Sequence, residues 1–427
     1  MNNDKASKVT EEEQEDLSEL LTELHLVQTA KASQELKRDH RFWHTQPVPK
    51  LIDSNSGENC LPGPIVVPQK TVTQVRQQPY HLPNGFKWST LDIRDPSHLH
   101  EVYELLSLNY VEDDANTFRF DYSVEFLQWV LAPPRFHQDW HLGVRSTQNH
   151  TLLAFVSAIP TQIRVDSKSI NMTEVNFLCV HKRLRDRRLA PVLIKEITRR
   201  VNLCNVWQAI YTAGVVFPTP VAHCRYFHRP LNPRKLIETG FSTLSPYMPL
   251  SQVIQKFELP SHTVTRGFRS MKRSDVLQVT NLLKNYLTNF RLAAEYSEDE
   301  VEHWMVPRTG VVSAYVVEDP DTQEITDVCS FYHLPSTIIG CDKYEKLYAA
   351  YSFYNVATSV TLSQLMQDAM IMAKKQDLDV FNALDVMENR EILQPLKFRP
   401  GSGTVQYYLY NWRCPRMTSD SVGIVLC

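Results

Sequence analysis

Glu174-Val175-Asn176-Phe177-Leu178-Cys179-Val180-His181-Lys182-Arg183-Leu184-Arg185-Asp186-Arg187-Arg188-Leu189 is the stretch on which the fold turns. Its first seven residues read as a strand, with Val175, Phe177 and Cys179 alternating against Asn176, Leu178 and Val180. A basic loop follows, residues 181–188. Leu189, Leu193, Ile197 and Val201 then fall at i, i+4, i+8 and i+12 of a helix, while Lys195, Glu196, Arg199 and Arg200 take its other faces. Pro191 stands near the helix start, where a missing N–H is harmless. A second strand, residues 206–211, closes the unit before Thr212-Ala213-Gly214.

Strand, cationic loop and helix N-terminus make a site for a phosphorylated ligand. The first helical amides lack intrahelical partners, the helix dipole favours negative charge there, and arginines add bidentate donors for phosphate oxygens. On composition alone, a solvated basic face or a nucleic-acid patch stays open as an alternative.

The segment 174–182 resembles the acyl-CoA signature of the N-myristoyltransferases (glycylpeptide N-tetradecanoyltransferases), a divergent branch of the GNAT acetyltransferases. Arg185-Asp186-Arg187-Arg188-Leu189-Ala190 resembles the pyrophosphate-binding loop of that superfamily. Further similarity begins at Phe42-Trp43-His44-Thr45-Gln46-Pro47-Val48-Pro49 and covers nearly everything after about residue 40. The resemblance implies an acyl donor, myristoyl-CoA, held by Arg41, Phe42, Trp43, Phe177, Leu178, Cys179, Val180, Arg185, Asp186, Arg187, Arg188, Leu189 and Ala190, with no metal required.

Working outward, 427 residues allow two or more cores, and 43% hydrophobic with 22% charged residues is ordinary for a soluble globular chain. A net charge of −3 argues against nucleic acid as main partner. No apolar run reaches transmembrane length, and Met1-Asn2-Asn3-Asp4 does not open a signal peptide. Eight cysteines without a C-x-x-C pair read as reduced thiols. The expectation is a cytoplasmic monomer with no integral membrane segment, peripheral association with ribosomes or membranes remaining open. Asn2 excludes this chain as its own glycine acceptor.

Residues 1–40 read as a polar leader, mobile or helical, with Leu17, Leu20, Leu21, Leu24 and Val27 forming a weak apolar stripe. Beyond them an internal duplication shows through. Helices at 98–110 and 122–130, strands at 140–145 and 152–159, and the strand–loop–helix–strand unit are echoed in order. The echoes are helices at 275–290 and from 296, strands at 313–317, 328–334 and about 351–354, a helix at 362–375 and a strand at 380–384. The expected architecture is α/β, two pseudo-symmetric GNAT-like halves with a mixed twisted sheet flanked by helices. The first half spans 41–216 and binds acyl-CoA. The second spans 217–427 and forms most of the peptide groove, with 217–260 bridging. The second copy's loop, Ala357-Thr358-Ser359-Val360-Thr361, lacks arginines, so only the first copy keeps the phosphate chemistry.

Acyl transfer from a thioester to an N-terminal glycine amine needs oxyanion donors, a proton acceptor and alignment. The resemblance implies that the amides of Phe177 and Leu178 supply the oxyanion hole; read alone, they are strand core. The apolar tail Val422-Gly423-Ile424-Val425-Leu426-Cys427 reads as buried, and the resemblance implies that the α-carboxylate of Cys427 reaches the site as the base, with Asn176 and Thr212 nearby; read alone, Asn176 could close the adjacent loop and Thr212 is an ordinary strand-end residue. Cys179 shares a strand face with His181, so a Cys–His acyl-enzyme is the competing route, although cysteine in an apolar strand is usually inert. For the partner, the N-terminal glycine segments of substrate proteins, the resemblance implies a groove from Tyr110, Asp113, Asp114, Phe118, Arg119, Phe120, Tyr122, Tyr211, Tyr226, His228, Ser336, Tyr351 and Ser402. Two departures from the family pattern bear on it. Ala115 stands where a third aspartate is common, and Lys397-Phe398-Arg399-Pro400-Gly401-Ser402-Gly403 has Arg399 added and Ser402 in place of an acid. These predict a weaker preference for lysine downstream of the glycine.

Overall fold

The strand expected at 174–180 is longer than its alternation suggests, running from Lys168 to Val180 in the middle of a fourteen-stranded sheet. The computed structural model describes residues 41–49, 61–67, 70–110, 117–217, 219–244 and 247–427. The polar leader expected at 1–40 lies outside the described residues.

The first half contains β1 (Phe86–Thr90), α1 (Pro96–Asn109), α2 (Val124–Leu131), β2 (His141–Ser146), β3 (Leu152–Val165), β4 (Lys168–Val180), α3 (Leu189–Leu203) and β5 (Gln208–Ala213). After it come β6 (Ala222–Pro230), β7 (Phe268–Ser270), α4 (Val276–Leu287), β8 (Leu292–Ala294), α5 (Glu298–Met305), β9 (Val312–Glu318), β10 (Ile325–His333), β11 (Ala349–Val356), α6 (Leu362–Lys375), β12 (Val380–Leu384), β13 (Arg399–Tyr410) and β14 (Val422–Gly423). The sheet order is β14-β8-β3-β4-β5-β13-β6-β12-β11-β10-β9-β7, with β2 also on β3 and β1 on β2. Thus β3-β4-β5 is mirrored by β10-β11-β12, and helices α3 and α6 connect the parallel pairs β4/β5 and β11/β12.

Local signals place most of these elements. Asp95 caps α1 through the Ser97 amide and Pro96 takes the first helical position. Ser297 and Glu300 form a capping box on α5. In α3, Leu189, Leu193, Ile197 and Val201 are all buried against the sheet. Glu196 is buried as well, which its helical position alone did not announce. It is held by Arg199 at 2.6 Å and Arg200 at 3.2 Å and accepts from the Tyr80 amide at 3.1 Å, so the buried charge is compensated.

The stretch 217–260 does more than bridge. Its β6 leaves the first half and pairs antiparallel with β12 of the second, while β13, late in the second half, returns to pair with β5. The halves therefore exchange strands across β5-β13-β6-β12, and β14 crosses back to β8, which lies on β3. Turn residues mark chain reversals but say nothing about which distant strand receives the next one.

Both halves share a further detail. In β4, Cys179 faces Phe155 and Asn176 faces Ser157, so 177–178 are opposed by Val156 alone. In β11, Asn355 faces Cys329 and Ser352 faces Phe331, so 353–354 are opposed by Ser330 alone. The two bulges are filled differently. Ser330 Oγ accepts from the Tyr354 amide at 3.0 Å and donates to the Tyr354 carbonyl at 2.9 Å. The matching position across from Leu178 is Val156, whose side chain has no polar atom to offer. Phe177 also has φ 54°, a left-handed conformation unusual for a bulky residue.

The loop before each helix repeats the contrast. Ahead of α6, the carboxylate of Asp327 is fully buried and accepts from the amides of Thr358 at 2.7 Å and Ser359 at 2.9 Å, and from the Ser359 and Thr326 hydroxyls. Ahead of α3, no side chain among the described residues is shown filling that place; the turn Lys182–Arg187 carries exposed arginines, and Arg188, with φ 55°, leads into the helix.

Candidate active site

Strand β4 pairs with β5 only at Met172↔Gln208, Thr173↔Ala209 and Glu174↔Ile210. Beyond Glu174 the two parallel strands part, leaving 175–180 with a ladder partner only on the β3 side. A crevice beside the carboxyl ends of parallel strands, facing a helix start, is where α/β folds hold phosphorylated ligands. Asn109 fastens its rim, accepting from the Lys182 amide at 3.0 Å through Oδ1 and from the Arg185 guanidinium through its carbonyl. Arg187 and Arg188 are exposed in the same turn, Leu189 is buried beneath it and Ala190 is half-buried.

Arg41, Phe42 and Trp43 form one helical turn at the end of β5. The Trp43 ring lies flat on Tyr211, with centroids 5.8 Å apart and planes 10° apart, and Tyr211 in turn stacks on Tyr408 at 5.1 Å. The segment is strapped to β13, the Asn411 amide donating to the Pro47 carbonyl at 2.7 Å and the Tyr410 hydroxyl to Gln46 Oε1 at 2.9 Å. Tyr211 was expected in the peptide groove. The structure stacks its ring on Trp43, because side chains alternate between the two faces of β5.

At the bulge, Asn176 is a hub. Its Oδ1 accepts from the Phe177 amide at 3.0 Å, and its Nδ2 donates to Glu174 Oε1 at 3.2 Å and to the carbonyl-carbon oxygen of Cys427. The tail is anchored on either side of this contact. Val425 donates to the Tyr354 hydroxyl at 3.3 Å, the Tyr407 hydroxyl donates to the Ile424 carbonyl at 2.9 Å, and Ile424 and Val425 are buried. Tyr354 also meets the Tyr296 hydroxyl at 3.0 Å. Burial pushes the Glu174 carboxyl up to about 8, well outside the usual range for glutamate. The same burial holds the hydroxyls of Tyr226, Tyr296, Tyr332, Tyr354 and Tyr407 in their neutral, donating form. Thr212 stands opposite Tyr407 in the β5–β13 ladder and shares no hydrogen bond with Cys427 among the described residues.

Cys179 and His181 do not form a catalytic pair here. Burial pushes the Cys179 thiol up to about 12, and His181 is turned to the following helical turn, its Nδ1 accepting from the Arg183 amide at 3.3 Å. Cys179 is core.

Aromatic rings fan out from Phe177. Tyr122 meets it edge-on at 5.2 Å and Tyr110 at 5.9 Å, Phe120 lies 5.8 Å from Tyr122, and Tyr351 links Phe120, Tyr226 and Tyr332 at 6.5, 5.8 and 5.2 Å. Phe118 and His228 both pack on Phe241, at 5.7 and 5.2 Å. His228 Nδ1 lies 2.6 Å from Asn382 Oδ1, and burial lowers the basicity of its ring. Ser336 pairs opposite Phe120 in a small sheet of Phe118–Phe120, Ser336–Ile338 and Lys346–Leu347, which also carries Arg119. Gly401, Ser402 and Gly403 loop out of β13 between the pairs Pro400↔Phe227 and Thr404↔Arg225. A Cβ on Gly401 would fall 2.1 Å from His228 Nε2, so only glycine lets the strand arch over that ring. Ser402 is exposed on the arch. Asp113 and Asp114 lie outside the described residues.

Sequence reasoning missed Glu174, Asn109 and the tyrosines around the tail. Glu174 was in plain view as the strand's first residue; a carboxylate opening a buried parallel strand was the available signal.

The arrangement unites an arginine-bearing turn at a helix start, a strand unpaired on one side, a bulge in that strand and a buried polar cluster around Asn176 and Glu174. A two-part model of the family described as myristoyl-CoA:protein N-myristoyltransferase matches the chain, its N-terminal domain over residues 65–224 and its C-terminal domain over residues 238–425. The chain belongs to this family of N-acyltransferases. Glycylpeptide N-tetradecanoyltransferase 1 of Arabidopsis thaliana is 51% identical over 91% of this chain and 89% of its own length. Glycylpeptide N-tetradecanoyltransferase of Dictyostelium discoideum is 47% identical over 98% of this chain and 100% of its own. The crystal structure of Saccharomyces cerevisiae N-myristoyltransferase with bound myristoyl-CoA superimposes with a TM-score of 0.87 at 40% identity, covering 91% of this chain and 100% of that one. No described helix is long and apolar enough to cross a membrane.

Proposed function

We propose that this chain transfers myristoyl from myristoyl-CoA to the N-terminal glycine amine of protein substrates by direct attack, with the carboxylate of Cys427 as proton acceptor. The observation that carries the reading is the Asn176 tether, which joins the β4 bulge to the tail at Cys427. The exposed arginines before α3 face the donor's phosphates, and the thioester lies along the open side of β4. The amides of Phe177 and Leu178 receive the carbonyl oxygen, Phe177 exchanging its bond to Asn176 Oδ1 for the developing oxyanion.

The glycine ammonium gives a proton to the Cys427 carboxylate, and a free α-amine titrates near ~8, so the carboxylate need only hold and polarise it. The amine nitrogen then bonds to the thioester carbon, the oxyanion collapses, and the C–S bond breaks. CoA leaves as the thiolate and takes up the remaining amine proton. The aromatic fan seats the first residues of the acceptor. Reaction in the cytoplasm, on glycine-initiated chains, fits this chemistry.

The test is mass spectrometry of a glycine-initiated peptide incubated with acyl-CoAs of graded chain length. The expected product is one acyl group on the α-amine, formed fastest from the C14 donor. Equal or faster acetylation, or binding without product, overturns the reading. With Ser402 in place of an acid and Arg399 close by, replacing a downstream substrate lysine by norleucine is expected to raise KM by less than about fivefold, the scale of one exposed charge pair. The same replacement measured on Ser402→Asp is expected to cost more; an equal cost in both sinks the assignment of Ser402.

A further inference from the structure

Tyr226, His228 and Pro230 point the same way from β6. Tyr226 meets Tyr351 and His228 packs on Phe241, while Pro230, one step further along, lines a cavity of about 50 Å³. Ser242 and Thr243, which follow Phe241, line it too. The cavity therefore continues the row of groove side chains away from Phe177, past the arch at 401–403. Its mouth is cationic. Arg399 stands opposite His228 in the β6–β13 ladder, lines the cavity and holds its guanidinium over the Phe257 ring, 4.9 Å from the centroid. Arg229 lies on the same ring, also at 4.9 Å. It is 2% exposed, and its guanidinium donates only to carbonyls, those of Leu396 at 2.6 Å, Pro230 at 2.5 Å and Phe257 at 3.2 Å. Lys397, two positions before Arg399, is exposed and donates to the Lys256 carbonyl at 2.9 Å. Among the described residues no carboxylate pairs with Arg229, Lys397 or Arg399; Glu258, next after Phe257, is exposed and bonded to none of them.

We propose that Arg399 makes this cavity a distal acceptor subsite, which takes the carboxylate of an aspartate or glutamate downstream of the substrate's glycine. This rests on the reading of the chain as a glycine N-acyltransferase with the aromatic fan as its acceptor groove. Two guanidinium groups on one ring, without a counter-ion, leave a positive potential over a cavity whose lining holds no acid. An anion is what that field recruits. Packing on Phe257 holds the Arg399 side chain in place, so a planar carboxylate meets its fork without first ordering it. The cavity has room for the few heavy atoms at the end of such a side chain. An extended acceptor advances about 3.3 Å per residue, so the carboxylate belongs several positions on from the glycine. The subsite selects the charge opposite to lysine.

The test measures KM of the wild-type chain for glycine-initiated peptides carrying glutamate, glutamine or lysine at each position from the fourth to the tenth. At one or two adjacent positions glutamate is expected to lower KM about three- to fivefold against glutamine, the scale of a partly exposed charge pair, with kcat within about twofold. The advantage is expected to shrink below about twofold in about 0.5 M salt, where exposed charges are screened. In Arg399→Gln the glutamate-to-glutamine ratio is expected to return to one at those positions, and in Arg399→Glu lysine is expected to become the favoured residue. A wild-type scan in which no position favours glutamate overturns the proposal and needs no variant. An advantage that persists in Arg399→Gln overturns the assignment to Arg399. If no peptide of the set is acylated, the reading beneath fails; if all are acylated with KM indifferent to charge, only this inference fails.

Discussion

A protein carrying one glycine appended after Cys427 is expected to lose kcat by about 10²–10⁴-fold, the contribution of a positioned proton acceptor, while acyl-CoA affinity stays near wild type. The extension moves the carboxylate by a residue's length and leaves a neutral amide beside Asn176. It also pushes chain into a space closed by Tyr354 and Tyr407. Cys427→Ala is the partner experiment. It keeps the carboxylate and discards the thiol, and its kcat is expected within about threefold of wild type, on the view that only the carboxylate accepts the proton. Single-turnover rates with preloaded acyl-CoA separate chemistry from release. Full activity in the extended protein, or loss of activity in Cys427→Ala, removes the carboxylate from the mechanism.

Asn176→Ala is expected to have the next largest effect, lowering kcat by roughly 10²–10³-fold, as for loss of one oxyanion-hole element. One side chain orients the Phe177 amide, holds the tail oxygen and caps Glu174. Its removal leaves buried polar groups unpaired, so thermal stability is also expected to fall, by about 1–3 kcal/mol. The KM for acyl-CoA should hardly move, because the arginine turn and Asn109 are untouched. Asn176→Asp tests the charge: a third carboxylate next to two others should be no better than alanine. A kcat within threefold of wild type in Asn176→Ala shows that the hub is packing alone.

How much of this was legible in the sequence varies with the range of the interaction. The α3 face was read correctly residue by residue, and α6 and β12 match their expected bounds, because helical period and strand alternation are local. The repeat order was also visible, since each copy keeps the same sequence of helices and strands. The strand exchange of β6 and β13 was not, because pairing partners more than a hundred residues apart leave no mark on either strand alone. β3 proved longer than expected, since residues 160–165 continue past a proline to pair with β4 and β8. At the site, residue types pointed to the phosphate turn and the buried tail. They could not reveal that Tyr211 faces Trp43, nor that Asn176, Glu174 and Cys427 meet, since such meetings are set by the bulge and by a tail arriving some 250 positions later in the chain.

The difference between the two bulges predicts a stoichiometry. In the second half, Ser330 occupies the amide of Tyr354, and Asp327 occupies the amides ahead of α6, so the donors that could greet an oxyanion or a diphosphate are already spoken for by the protein's own oxygens. Each chain should therefore load a single thioester, and calorimetric titration should saturate at one equivalent. A second half built on the same plan can thus close its own donors without losing its shape: one hydroxyl and one carboxylate fill those positions, and the stiff scaffold is left to serve as a wall.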